Sequence, residues 1–186
     1  MSKQVRKPGT MVYPLPAVMV SCGDMEKSNI ITVAWTGTIC TDPAMVYISV
    51  RPERYSYNMI KETGEFVINL TTKELARKTD FAGVRSGRDL DKFDKLKLTK
   101  EKANKVKAPL IKESPVNIEC KVTEIKELGS HHMFIAKVLA VDIDEKYLDE
   151  KGKFCLEKAN LITYSHGEYY EQGKNIGKFG FSVKKK

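Results

Sequence analysis

One stretch, Ser28 to Asn58, constrains the fold more than any other part of the chain. Ile30-Ile31-Thr32-Val33-Ala34-Trp35 is dense in β-branched and aromatic residues, the composition of a strand. Thr41-Asp42-Pro43 signals a turn, and Met45 to Val50 is a second apolar run. Arg51-Pro52-Glu53-Arg54 breaks that strand. Ser56 is then placed to cap a helix over 57–63, closed by Gly64. The corner gathers two arginines, a serine, a tyrosine and the unpaired N–H groups of a helix start. Free N–H groups and the helix dipole both favour negative charge, so the corner is a candidate anion site. The strands before it would wall the rest of a ligand. An ordinary solvated strand-to-helix corner would use the same residue types.

The remaining chain fits one domain over residues 1–186, with residues 1–10 and 184–186 as flexible tails. A 41% hydrophobic content supplies a core, and the net charge of +8 suggests an anionic partner. Much of that charge is local, since 95–107 holds six lysines and a single acid. A solvated lysine excursion over Lys95–Pro109 explains most of it. The cysteines, at 22, 40, 120 and 155, form no C-x-x-C pair, which argues against zinc and a disulfide framework. No apolar run follows Lys3, Arg6 and Lys7, and none reaches membrane-span length. A cytoplasmic chain with reduced thiols and no membrane partner is expected.

Ala17 to Gly23 and 29–36 read as a hairpin, and 66–70 as the next strand. Thr71-Thr72-Lys73-Glu74 matches a capping box before a helix over 73–81. Val84 to Phe93 is a polar loop with a helical turn. Val116 to Val122 alternates apolar with polar, and His132 to Asp144 is its long partner. Six or seven strands with tight connections and a few short helices predict a mainly β, antiparallel barrel. The glycines near Gly173 fit neither a dinucleotide fingerprint nor a P-loop. His131 and His132 are adjacent on a strand, so only one of them can face a given pocket. Nucleic-acid binding is disfavoured, because the lysines cluster in loops while the strands carry Ile, Val, Ala and Met.

Several runs together resemble the flavin reductase-like, FMN-binding split-barrel family, in its flavoredoxin and ferric reductase branch. They are 29–37, Asp42-Pro43, 48–54, 66–69, Ser86 to Phe93, Gly129-Ser130-His131 and 177–182. The resemblance spans about Met11 to Val183. It implies a split β-barrel homodimer with FMN near the subunit interface. The ring would lie along Thr32 to Thr36, its polar edge met by the backbone of Ala34, Trp35 and Thr36. Trp35 would shape the pocket and Cys40 would touch the same wall. Ser49, Val50 and Arg51 would line the ribityl chain and phosphate. Ser56 and Tyr57 would hold the phosphate at the helix start, with Lys92 as a further cation. His131 would lie on the substrate side, although Ser130 and His132 depart from the commoner pattern around it. No catalytic residue and no metal are implied. The activity implied is transfer of hydride or electrons from NAD(P)H or a protein to a flavin, ferric or protein acceptor. A non-enzymatic electron carrier with an acidic protein partner is the alternative.

Overall fold

The computed structural model describes residues 2–183. In chain order its first strands are β1 (Leu15–Pro16), β2 (Val18–Gly23), β3 (Ser28–Val33), β4 (Thr36–Thr41) and β5 (Ala44–Val50). Helix α1 (Tyr55–Thr63), β6 (Glu65–Leu70), α2 (Ala76–Val84) and α3 (Lys92–Leu96) follow. The remaining strands are β7 (Lys100–Glu101), β8 (Leu110–Ile111), β9 (Val116–Leu128), β10 (His131–Ile143), β11 (Ile162–Ser165) and β12 (Glu168–Glu171). The tail positions 1 and 184–186 lie outside the described residues, and residues 2–10 form neither helix nor strand.

Seven strands make one antiparallel sheet in the order β3-β2-β6-β9-β10-β5-β4. Its two edge strands, β3 and β4, are consecutive in the chain. Only a bend at Ala34–Trp35 separates them, and across it the Ser49 N–H donates to the Trp35 carbonyl, 2.8 Å. The sheet therefore curls until its edges meet at one point, a split barrel with the split at the bend. The barrel is the mainly β architecture the alternation predicts.

Alternation along each strand fills the inside. Val18, Val20, Cys22, Ile31, Val33, Val46, Ile48, Val50, Phe66, Ile68, Phe134 and Ala136 pack together as the barrel core. The intervening residues Met19 and Ile30 face outward beneath α2 and α3, with Leu75, Ala82 and Phe93. Strand β3 is thus covered on both faces: Asn29 is buried with the apolar residues, and Ser28 and Thr32 are half-buried.

Four expectations need correction. The strand expected over 29–36 ends at Val33, and 36–41 is a separate strand pairing with β5. Ser56 does not cap α1: Arg54 takes the extended N-cap position, and Ser56 is a buried helical residue accepting a hydrogen bond from Asn29 Nδ2, 2.8 Å. The capping box does not form, because the Thr71 hydroxyl donates to the Ala17 carbonyl and α2 starts only at Ala76. The lysine excursion is not freely solvated, since Ala103, Val106 and Ala108 are buried with Val67 and Leu110.

Glu119 ties that excursion down. Fully buried on β9, it accepts the backbone N–H groups of Asn104 (2.8 Å), Lys105 (2.6 Å) and Val106 (3.0 Å). These are charge-assisted bonds that water cannot replace. Glu119→Ala is expected to lower unfolding free energy by about 3 kcal/mol or more, read by urea denaturation. A loss under about 1 kcal/mol would show that the excursion holds itself in place.

Candidate functional site

The bend leaves a cavity of about 390 Å³ beside it. Thr32 and Ser49, whose neighbours in sequence point into the core, face outward to form its floor. Ala34 and Trp35 edge it, Gly83 and Val84 of α2 form one side, and Tyr164 and Tyr169 of the β11–β12 hairpin cover it. Gly83 lets α2 lie close, since a Cβ there would come within 3.1 Å of Thr32 Cβ. Three aromatic contacts shape the walls. Trp35 stacks on His131 at 6.2 Å with planes 6° apart, Trp35 meets Tyr164 at 6.3 Å, and Tyr164 meets Tyr169 at 5.8 Å. Among the described residues, the N–H groups of Ala34 and Trp35 donate to no acceptor. Aromatic walls and two free donors suit a flat ring with a polar edge.

A second cavity of about 110 Å³ adjoins the first and shares Ile31, Arg54 and Gly83 with it. The start of α1 opens into it, and the N–H groups of Tyr55 and Ser56 have no acceptor among the described residues. Arg54, Arg85, Arg88 and Lys92 line it, against Glu53 as the acid. The Arg88 guanidinium donates to the Glu53 carbonyl, 3.2 Å, and lies 5.6 Å from the Tyr55 ring centre. Gly87 is required where it stands, because a Cβ would fall 2.2 Å from Asn29 Oδ1 and 2.7 Å from the Tyr55 ring. Four cations and two free amides in so small a space suit a compact dianion.

Lys92 is the most constrained of the four. It is only 3% exposed, and its ammonium donates to the carbonyls of Ile30 (2.7 Å) and Ala82 (2.6 Å). Burial, with Arg54 adding to it, pushes its pKa from the ordinary 10.5 to about 8, against a smaller opposing effect of Cys22. Burial and the nearby Arg51 and Arg54 likewise lower the His131 pKa, against Glu53.

Of the residues singled out in the sequence, Thr32, Ala34, Trp35, Ser49, Val50, Arg51 and His131 line the larger cavity, and Ser56 and Lys92 the smaller. Three lie on neither wall. The Thr36 N–H bonds the Ala34 carbonyl, 3.0 Å, and its hydroxyl bonds the Tyr47 carbonyl, 2.6 Å. Cys40 sits toward the far end of β4, where its thiol donates to the Pro43 carbonyl, 2.8 Å. Tyr57 turns into the core, its hydroxyl 2.7 Å from His132 Nδ1. The sequence did not single out Asn29, Asp80, Arg85, Arg88, Tyr164 or Tyr169 as lining residues. Arg88 lies in Ser86 to Phe93, one of the runs that carry the family resemblance.

Residues 10–172 match the family model of the flavin reductase like domain. The chain belongs to the flavin reductase-like family. An uncharacterized protein of Archaeoglobus fulgidus is 36% identical over 165 residues, 89% of this chain and 88% of that protein. The solved flavoredoxin of Desulfovibrio vulgaris (Miyazaki F) is 32% identical, with a TM-score of 0.90 over 98% of this chain and 100% of that one. Flavoredoxin from Methanosarcina acetivorans is 25% identical, with a TM-score of 0.86 over 98% and 100%. Membership in the flavin reductase-like family supports a flavin-related redox function.

The Lys92 shift carries a pH signature. Below about pH 8 the ammonium is charged in both folded and unfolded chains, and the burial penalty is fully present. Between about 8 and 10.5 the unfolded chain holds the proton and the folded chain does not, so stability rises with pH. Melting curves taken from about pH 7.5 to 9.5 should show the wild-type protein gaining on Lys92→Met across that window. A constant difference between the two would place the Lys92 pKa outside it.

Proposed function

We propose that this protein binds FMN and passes electrons through it as an oxidoreductase. The observation that carries this is the pairing of an aromatic-walled cavity with an adjoining cationic one. The first matches a flavin ring in breadth and the second a terminal phosphate in charge. Typical ligand cavities run from about 300 to 1,000 Å³, and the larger of the two falls in that range. The flavin would supply the hydride and electron chemistry. The chain's residues bind, orient and tune. Trp35, Tyr164 and Tyr169 exclude water from the ring's faces, and the Ala34 and Trp35 N–H groups donate to its polar edge. Ser49, Val50 and Arg51 line the path toward the phosphate, which Arg54, Arg88, Lys92 and the Tyr55 and Ser56 N–H groups hold. His131, stacked on Trp35, borders the side from which a donor arrives.

Arg54→Ala combined with Arg88→Ala should weaken FMN well over tenfold, since charged hydrogen bonds contribute about 1.5–3 kcal/mol each. Riboflavin, which lacks the phosphate, should lose far less, only what Arg54 contributes to the larger cavity that it also lines. Equal weakening of both ligands would move the phosphate away from the small cavity. A bound dianion also raises the Lys92 pKa, so FMN affinity should fall as pH climbs above about 8. Lys92→Met should flatten that fall.

The whole-length match to flavoredoxin favours a second reading, in which a protein rather than NAD(P)H delivers the electrons. Stopped-flow mixing of the FMN-loaded protein with NADH and NADPH separates the two. Bleaching of the flavin band within seconds supports the nicotinamide-dependent enzyme, and an unchanged band supports the carrier. Either way we propose a homodimer. Exposed Met11, Val12, Phe179 and Phe181 supply apolar surface for a second copy, and a monomer in sedimentation would overturn this.

A further inference from the structure

His131 and His132 open β10 side by side and point to opposite faces of the sheet. His131 goes to the larger cavity, where it stacks on Trp35. His132 lines neither cavity. It pairs with Val50 of β5, a core residue, and its side chain is 15% exposed. Its Nδ1 shares a hydrogen bond with the Tyr57 hydroxyl, 2.7 Å. The Tyr57 ring sits between His132 and Phe134, with ring centres 5.4 Å away and planes 74° and 70° apart. Tyr57 is buried, and among the described residues its hydroxyl has no other partner, so losing this bond would leave a buried phenol unsatisfied. Toward solvent, His132 Nδ1 lies 3.8 Å from the exposed carboxylate of Glu127.

Tyr57 belongs to the first turn of α1, directly after Tyr55 and Ser56, whose N–H groups open into the smaller cavity. Among the described residues, two side-chain bonds tie that turn to the sheet. Asn29 of β3 holds Ser56, and His132 of β10 holds Tyr57. Asn29 is itself a wall of the smaller cavity, whereas His132 reaches the site only through Tyr57. The Tyr57 N–H donates to the carbonyl of Arg54, 3.0 Å, and Arg54 lines both cavities. A shift of Tyr57 would carry Arg54 and the two free amides with it.

We propose that His132 is a positioning residue for the phosphate end of the ligand. Through the Tyr57 hydroxyl it holds the first turn of α1 so that Arg54 and the Tyr55 and Ser56 N–H groups converge on the smaller cavity. This rests on FMN binding with its phosphate there. A rigid support lowers the cost of ordering donors around a dianion, and its loss is felt at those donors rather than along the ring. His132 thereby favours the phosphorylated flavin over riboflavin.

The test is a double-mutant cycle on FMN and riboflavin affinity, measured on the full chain. His132→Phe keeps a ring beside Tyr57 and removes the nitrogen, and Tyr57→Phe removes the hydroxyl. Each should weaken FMN about threefold to tenfold and riboflavin by less than about twofold. The double variant should lose no more than either single one, because both delete the same bond. His132→Asn keeps a polar atom close to where Nδ1 stands and should retain FMN affinity within about twofold. Riboflavin binding also reports that each variant folds. If His132→Phe does not, Tyr57→Phe against His132→Asn gives the same comparison. FMN and riboflavin weakened alike would overturn the proposal, as would single losses that multiply in the double variant or unchanged FMN affinity in Tyr57→Phe. Hydrogen exchange is also measured on flavin-free protein. The amides of α1 should exchange about threefold or more faster in Tyr57→Phe, with those of β6 unchanged. That result in a chain that takes up no FMN would sink the proposed function and leave the tie to α1 standing. Exchange across α1 unaffected by the substitution would overturn the tie itself.

Discussion

The break at Ala34–Trp35 is the constraint on which the other features depend. A strand that ran on through these residues would keep β3 and β4 in one line and close off the barrel wall. The chain instead leaves one sheet edge and joins the other within two residues, held by the bonds from Ser49 N–H to the Trp35 carbonyl and from Thr36 N–H to the Ala34 carbonyl. That step brings the two edges of a seven-stranded sheet together and leaves two amides without partners. It also turns Trp35 out of the core, where it stacks on His131. A cavity with aromatic walls and free donors follows from the same local geometry that closes the fold.

Charge is arranged around that opening with a similar economy. Lys92 is buried as a tie between β3 and α2, bonding one carbonyl from each, and it presents a cation to the smaller cavity. Placing it there is unfavourable in the free protein, and that is why its pKa falls. A bound phosphate would relieve the cost, so a feature that weakens the empty fold strengthens the loaded one. Arg54 belongs to both cavities and would lie between the two ends of an elongated ligand.

Much of this was legible in the sequence, for physical reasons. β2, β5, β6, β9 and β10 were visible because each alternates, or is apolar throughout, where both faces are covered. β4 was hidden, since Thr36-Gly37-Thr38-Ile39-Cys40-Thr41 is a polar edge strand with little to bury. The start of α1 was misplaced because Ser56 looks like a cap, yet its hydroxyl is consumed by Asn29, twenty-seven residues away. The lysines of the excursion masked Ala103, Val106 and Ala108, whose burial depends on a glutamate from a distant strand. Arg85 and Arg88 belong to a loop whose position beside α1 is set by the packing of Gly87 on Asn29 and Tyr55, which no local pattern announces.

The chain has a single tryptophan, and it stands on the wall of the larger cavity. Its fluorescence therefore reports on that wall and on nothing else. Titration with FMN should quench Trp35 emission in step with ligand uptake, saturating at one flavin per chain. Flavin uptake that leaves the Trp35 emission unchanged would place the cofactor elsewhere and contradict the account.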